Sequence, residues 1–110
     1  MGYFQADMNF KLGNFQKAID LGEAQMPKSR ADEKSELSKI IGESYFNLKK
    51  YDKALPYLLD YKGKKGKWNN TDFYQLGYVY YQQKDFENAI AQFNKIIEGN
   101  DALAQNAYYH

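Results

Sequence analysis

Between Phe73 and Phe93 the apolar residues Leu76, Gly77, Tyr80, Phe86, Ala89 and Phe93 fall three to seven apart, on either side of a polar break at Gln82 to Asp85. That spacing predicts two short helices folded against each other, because residues three and four apart share a helix face. Neither helix is stable alone, since nucleation is costly and a single apolar stripe needs a cover. Gly77 and Ala89 are the small residues that let the two backbones approach, with Tyr80, Phe86 and Phe93 filling the space around them.

The pattern recurs upstream. Stepping back 35 residues gives Ile41, Gly42, Tyr45, Tyr51, Ala54 and Leu58, matching small to small and large to large at every place. Stepping back a further 36 gives Gln5, Ala6, Asn9, Phe15, Ala18 and Gly22, which keeps the small residues and Phe15 but loses three large ones. Helix pairs repeating at about 34 residues, with small and aromatic residues in this order, resemble the tetratricopeptide repeat (TPR). The resemblance covers nearly the whole chain, strongly in the second and third copies and with departures in the first. It implies an all-α fold, a right-handed superhelical α-solenoid of antiparallel helix pairs. The expected organisation is one TPR-like domain over 1–110, with repeats at about 1–27, 33–67 and 70–99 and a partial helix at 101–110.

Turn and cap residues set the boundaries. Tyr3, Phe4, Met8 and Leu12 form a helical stripe at the start, and Gly13-Asn14 supplies the first reversal, since both residues tolerate the left-handed conformation. Pro27 ends the second helix. Ser29 with Asp32 resembles a capping box, with Ser35 as the other candidate start. Lys49-Lys50 forms the next turn, and Pro56 falls in or just after the first turn of the helix that follows. The tract Lys62-Gly63-Lys64-Lys65-Gly66-Lys67 predicts an exposed connection that buries nothing. Asn70 or Thr71 caps the next helix, and Gly99-Asn100 stops its partner. Tyr108 and Tyr109 repeat the Phe73-Tyr74 doublet in phase. The chain is therefore expected to be a fragment of a longer solenoid that self-associates through its truncated last helix, because a terminal pair normally carries a polar outer face.

Composition narrows the chemistry. With 110 residues the chain is one domain at most, and its net charge of +1 gives no long-range pull toward nucleic acid or lipid. No apolar run reaches the length of a membrane span, and no signal peptide is visible, which leaves the compartment open between cytoplasm and periplasm. The absence of cysteine excludes disulfides and thiolate chemistry, and a single histidine, His110, cannot assemble a catalytic triad or a two-histidine metal site. Asp32, Glu33 and Glu36 stand among Lys28, Arg30 and Lys34 as a solvated helix start. GKKGK at 63–67 lacks the glycine spacing and the hydroxyl residue of a phosphate loop, with Trp68 where the hydroxyl would be. The lysines around Trp68 offer too few phosphate contacts for nucleic-acid binding, and a solvated turn accounts for them. Asn69-Asn70-Thr71 fits a glycosylation acceptor, but a helix cap needs the same residue types. No enzyme activity, cofactor or metal is expected.

Eleven tyrosines and seven phenylalanines exceed what the core of three short helix pairs can hold. In stacks resembling the TPR the first helix of each pair lines a concave groove, and the matching positions here are Tyr3, Asp7 and Phe10, then Lys39, Glu43, Phe46 and Asn47, then Tyr74, Tyr78, Tyr81 and Gln82. The resemblance therefore implies a partner site made of Tyr3, Phe10, Lys39, Phe46, Tyr74, Tyr78 and Tyr81. Tyrosine suits such a site, offering apolar area and a wet tip at low entropic cost; packing of Tyr78 and Tyr81 against a neighbouring copy is the alternative. Family members that clamp a terminal carboxylate present lysine, asparagine and arginine at these places. Here only Lys39 could serve, with Glu43 one turn away, so no carboxylate clamp is expected. A protein or peptide ligand with apolar or aromatic side chains fits best. A carbohydrate stacking on the aromatic faces, or a purely structural segment, are the rival readings.

Overall fold

In a computed structural model, residues 2–63 and 66–99 are described. They form six α-helices: α1 (Gly2–Lys11), α2 (Phe15–Gln25), α3 (Ala31–Asn47), α4 (Tyr51–Asp60), α5 (Asn70–Gln82) and α6 (Phe86–Gly99). A 3₁₀ turn, Met26–Lys28, follows α2. No β-strand occurs among the described residues. The helices pair as α1 with α2, α3 with α4 and α5 with α6. The chain divides into two compact units, Met1–Tyr61 and Lys62–His110. The partial helix expected at 101–110 and the lysines Lys64 and Lys65 lie outside the described residues.

In the first unit α2 packs along α3, and α1 also touches α3. Its core gathers Ala6, Ala18, Leu37 and Ile40, with Phe10, Leu21 and Met26 packed around them. Gly42 sits where a Cβ would stand 2.9 Å from Leu58, so the bare backbone is what lets α4 approach α3. Buried serines on α3 are satisfied within the helix: Ser38 donates to the Lys34 carbonyl and Ser44 to that of Ile40, at 2.8 and 2.7 Å. In the second unit Leu76, Val79, Ala89 and Ile96 are buried. A Cβ at Gly77 would meet the Phe93 ring at 2.7 Å, the same small-against-large contact as Gly42 with Leu58.

The three helix reversals are one structure repeated. Gly13, Lys49 and Lys84 are left-handed, with φ of 84°, 64° and 65°. Each donates its N–H to the carbonyl three residues back, and the next residue donates to the carbonyl five back, Asn14 to Asn9, Lys50 to Tyr45 and Asp85 to Tyr80. This is the Schellman closure of a helix C-terminus, which satisfies carbonyls that the helix leaves over.

Several sequence expectations are corrected. The cap of α5 is Asn69 rather than Asn70 or Thr71: its side chain accepts from the Asp72 N–H while the Asp72 carboxylate accepts from the Asn69 N–H, both at 2.9 Å. Helix α3 starts after Arg30 with no side-chain cap; Ser29 instead donates to the Gln25 carbonyl, and Ser35 is buried within the helix. Pro56 stands inside α4 just after its first turn, as expected. The lysine-rich connection is not wholly exposed, because Gly63 is buried with φ of 89° against the backbone of Lys67. Finally, Phe4, Met8 and Leu12 turn outward, and Ala6 is buried on α1.

Candidate functional site

Tyr74 and Tyr78 lie one turn apart on α5, and their rings stack with centroids 6.3 Å apart and planes at 24°. Tyr74 also touches the Phe93 ring at 6.0 Å, so its base is braced by α6 while the side chain stays 50% exposed. Phe93 is the residue that closes over Gly77. The contact that holds α5 to α6 therefore also orients the outermost tyrosine. Tyr78 is half-buried beneath it.

Tyr81 continues the helix but serves a second purpose. Its ring meets that of Phe86 edge-on at 5.5 Å, while 53% of the residue remains exposed. Phe10 with Phe15 and Phe46 with Tyr51 form the same edge contact, each at 5.7 Å. In every pair the two rings clasp the left-handed turn between them. Phe10 and Phe46 are half-buried, so these expected partner-site residues give part of their surface to the helix reversal. The signal was in the sequence, as an aromatic five residues after an aromatic in each copy, but a five-residue interval does not bring side chains together on one helix and only the turn does so.

Lys39 on α3 is held from two sides. Its ammonium lies 3.5 Å from the Glu43 carboxylate and 4.9 Å from the centre of the Tyr61 ring. Sequence reasoning found the glutamate and missed Tyr61, which arrives from beyond the end of α4. Asn47 is exposed and donates to the Glu43 carbonyl at 2.8 Å. On α1, Asp7 pairs with Lys11 at 3.0 Å. Tyr3 lies within α1, but its side chain is not among those described.

Two further clusters were not anticipated. Trp68 leans on Phe73 at 5.5 Å, and the Lys95 ammonium sits 5.3 Å over the same phenyl ring, fastening the lead-in of α5 to α6. In the first unit Tyr45 and Tyr57 stack at 5.9 Å, and the Tyr57 hydroxyl donates to the Glu23 carboxylate at 2.8 Å, joining α4 to α2. Burial first, and then the hydrogen bond and charge of Glu23, raise the Tyr57 phenol well above its ordinary value. Burial also raises Tyr45, helped by Glu23 and Asp20.

Residues 73–101 match the sequence model of the tetratricopeptide repeat. A comparison with curated proteins gives no match. Among solved structures, the fold is similar to the C-terminal part of a TPR repeat-containing protein from Cytophaga hutchinsonii, with a TM-score of 0.81 and 23% identity. That similarity covers 96% of this chain and 41% of the other, so the chain spans about two-fifths of its length. The fold is thus all-α and of the helical-repeat solenoid class, with a tetratricopeptide repeat recognised over α5 and α6. No helix among the described residues is long and apolar enough to cross a membrane.

Proposed function

We propose that the chain is a non-catalytic interaction scaffold that binds a peptide or a partner protein through the aromatic faces of the first helix of each pair. Tetratricopeptide repeats generally mediate protein–protein contacts, which supports the class of function. The observation that carries the finer reading is the braced Tyr74–Tyr78 stack, with Tyr74 half exposed and held by Phe93. A ring already fixed in place loses little entropy on binding and still offers apolar area beside a hydroxyl. Tyr81 extends this surface on α5; within the first unit, Lys39 and Phe46 on α3 and Phe10 on α1 are the corresponding positions, with Tyr3 the sequence's further candidate on α1.

The ligand best suited is a segment with apolar or aromatic side chains. A carboxylate clamp is not part of the proposal, because the Lys39 ammonium is shared between Glu43 and the Tyr61 ring. Tyr74→Ala should change stability by about 1 kcal/mol or less while Tyr74→Ala with Tyr78→Ala abolishes capture of partners from lysate. Equal retention of partners by the double variant overturns the reading. Binding of oligosaccharides with tyrosine quenching, and of no peptide, would favour a carbohydrate ligand instead.

A further inference from the structure

Of the 13 residues in α5 only Asp72 is charged, and it is buried in the capping box, its carboxylate accepting from the Asn69 N–H. The whole chain is 26% charged, so a helix without one exposed charge stands apart from the rest. Its outer side is made of rings instead. At about 3.6 residues per turn, Tyr74, Tyr78 and Tyr81 fall within about 60° of one another around the helix axis. Tyr74 and Tyr81 are the exposed two, and each is fixed by other rings, Tyr74 by Tyr78 and Phe93, Tyr81 by Phe86. The equivalent places on α3 differ, for Lys39 and Glu43 form an ion pair there.

Such a face selects against charge. A charged segment would lose water on it and gain no opposite charge in return. What it offers is apolar area together with a hydroxyl at each ring tip, and a covered hydroxyl needs an acceptor for its proton. An amphipathic helix brings apolar area but spends its carbonyls on its own ladder. A polyproline II segment leaves its carbonyls open, and its pyrrolidine rings carry no N–H that would need a partner. The spacing agrees as well. Tyr74 and Tyr81 are seven residues apart on one helix, a rise of about 10.5 Å. One turn of polyproline II, three residues, advances about 9.3 Å, so prolines three apart lie along one edge at nearly the interval of the two rings. Both surfaces are stiff before they meet, which limits the entropy lost on binding.

We infer that the α5 part of the partner site takes an uncharged, proline-rich segment in the polyproline II conformation. Prolines three residues apart seat on Tyr74 and Tyr81, and carbonyls of the segment accept from the two hydroxyls. This names the ligand of the site proposed above and rests on that reading. Two ring contacts bury little area, so the affinity of this face alone is weak, with a Kd of about 0.1–1 mM.

Titration of the full chain with blocked synthetic peptides, followed by amide chemical shifts, tests this. A peptide of alanine and glutamine with proline at every third residue should bind and shift the amides of α5. A companion with proline at every second residue should bind about fivefold more weakly or worse. Tyr74→Ala should weaken the first peptide by about tenfold. Tyr74→Phe with Tyr81→Phe, which keeps both rings and removes both hydroxyls, should weaken it by about threefold or more. Salt up to about 0.5 M should leave the affinity unchanged, since no ion pair is formed. No binding of the first peptide, equal binding of the two spacings, or undiminished binding by Tyr74→Ala overturns the inference. If an amphipathic, leucine-rich helical peptide binds instead and is lost with Tyr74→Ala, the inference falls while the partner site stands. If oligosaccharides bind and no peptide does, both fall together. Should Tyr74→Ala lose helicity by circular dichroism, Tyr74→Leu, which keeps apolar contact with Phe93, gives the same readout.

Discussion

The first helix pair and the third fill one equivalent contact in different ways. In the third, Gly77 is bare and the Phe93 ring fills the space against it. In the first, the glycine's place is taken by Ala6, and the large residue's place by Gly22. The gap beside Gly22 is filled from outside the pair by Ile41 of α3, 2.8 Å from where a Cβ would stand. A repeat that has lost its own large residue is therefore not a defective repeat. It is one whose packing is completed by its neighbour, so that α1 and α2 depend on α3 more than a self-filled pair would.

The largest expected effect is at the self-filled contact. Gly77→Leu should unfold the α5–α6 pair, at a cost of about 3 kcal/mol or more, because the added side chain enters a space already held by Phe93. Loss of helical circular dichroism checks it. At the borrowed contact, Ile41→Ala should cost about 3 kcal/mol by opening a cavity against Gly22. Gly22→Ala alone should cost about 1 kcal/mol, and in the Ile41→Ala background it should become neutral or stabilising. A double-mutant cycle by urea denaturation measures that coupling, and additive effects would mean the two residues do not share one space.

The turns reverse the ranking, since here the first pair has the better residue. Gly13 adopts its left-handed φ without strain, whereas Lys49 and Lys84 carry a Cβ at 64° and 65°. Lys84→Gly should raise stability by about 0.5 kcal/mol, part of the relieved strain being offset by the freer unfolded chain. Gly13→Lys should lower it by a similar amount. A thermal shift of a few degrees resolves both. The smallest effect at neutral pH is expected from Tyr57→Phe, whose value lies in its pH dependence. The folded protein holds the Tyr57 phenol protonated beyond its ordinary pKa of about 10. The resulting stabilisation is complete below that pH and is lost as pH rises past it. Between about pH 9 and 11 the melting temperature should fall more steeply for the unsubstituted protein than for Tyr57→Phe.

Size matching along the chain made the second and third pairs legible, because Gly42 with Leu58 and Gly77 with Phe93 sit in equivalent places and only a helix pair puts them in contact. The turns were legible for a related reason: Gly13-Asn14 and the lysines at 49–50 occupy equivalent positions between apolar runs. What escaped reading was whatever depends on a neighbour. The intervals from Phe4 to Met8 to Leu12 announce a stripe but not whether another helix covers it, whereas Ala6, in phase with Gly42 and Gly77, was legible as the small residue of its copy and is buried. Gly22 looked like decay in the first copy because its filler, Ile41, lies in the next. Asn69 was passed over as a cap for Asn70 and Thr71, since three adjacent residues of capping type leave the starting point undecided until the reciprocal bonds with Asp72 are seen.

Each of the three Schellman turns is closed by hydrogen bonds reaching back at most five residues. Such closures demand little loop entropy, so each hairpin can nucleate from its own stretch of chain and zip outward, in the manner of proteins with low contact order. Folding speed is thereby set inside the turns. Extra residues inserted next to Gly66, between hairpins, would lengthen no loop that must close early, whereas a single residue inserted beside Gly13, Lys49 or Lys84 would slow the step on which the rest waits.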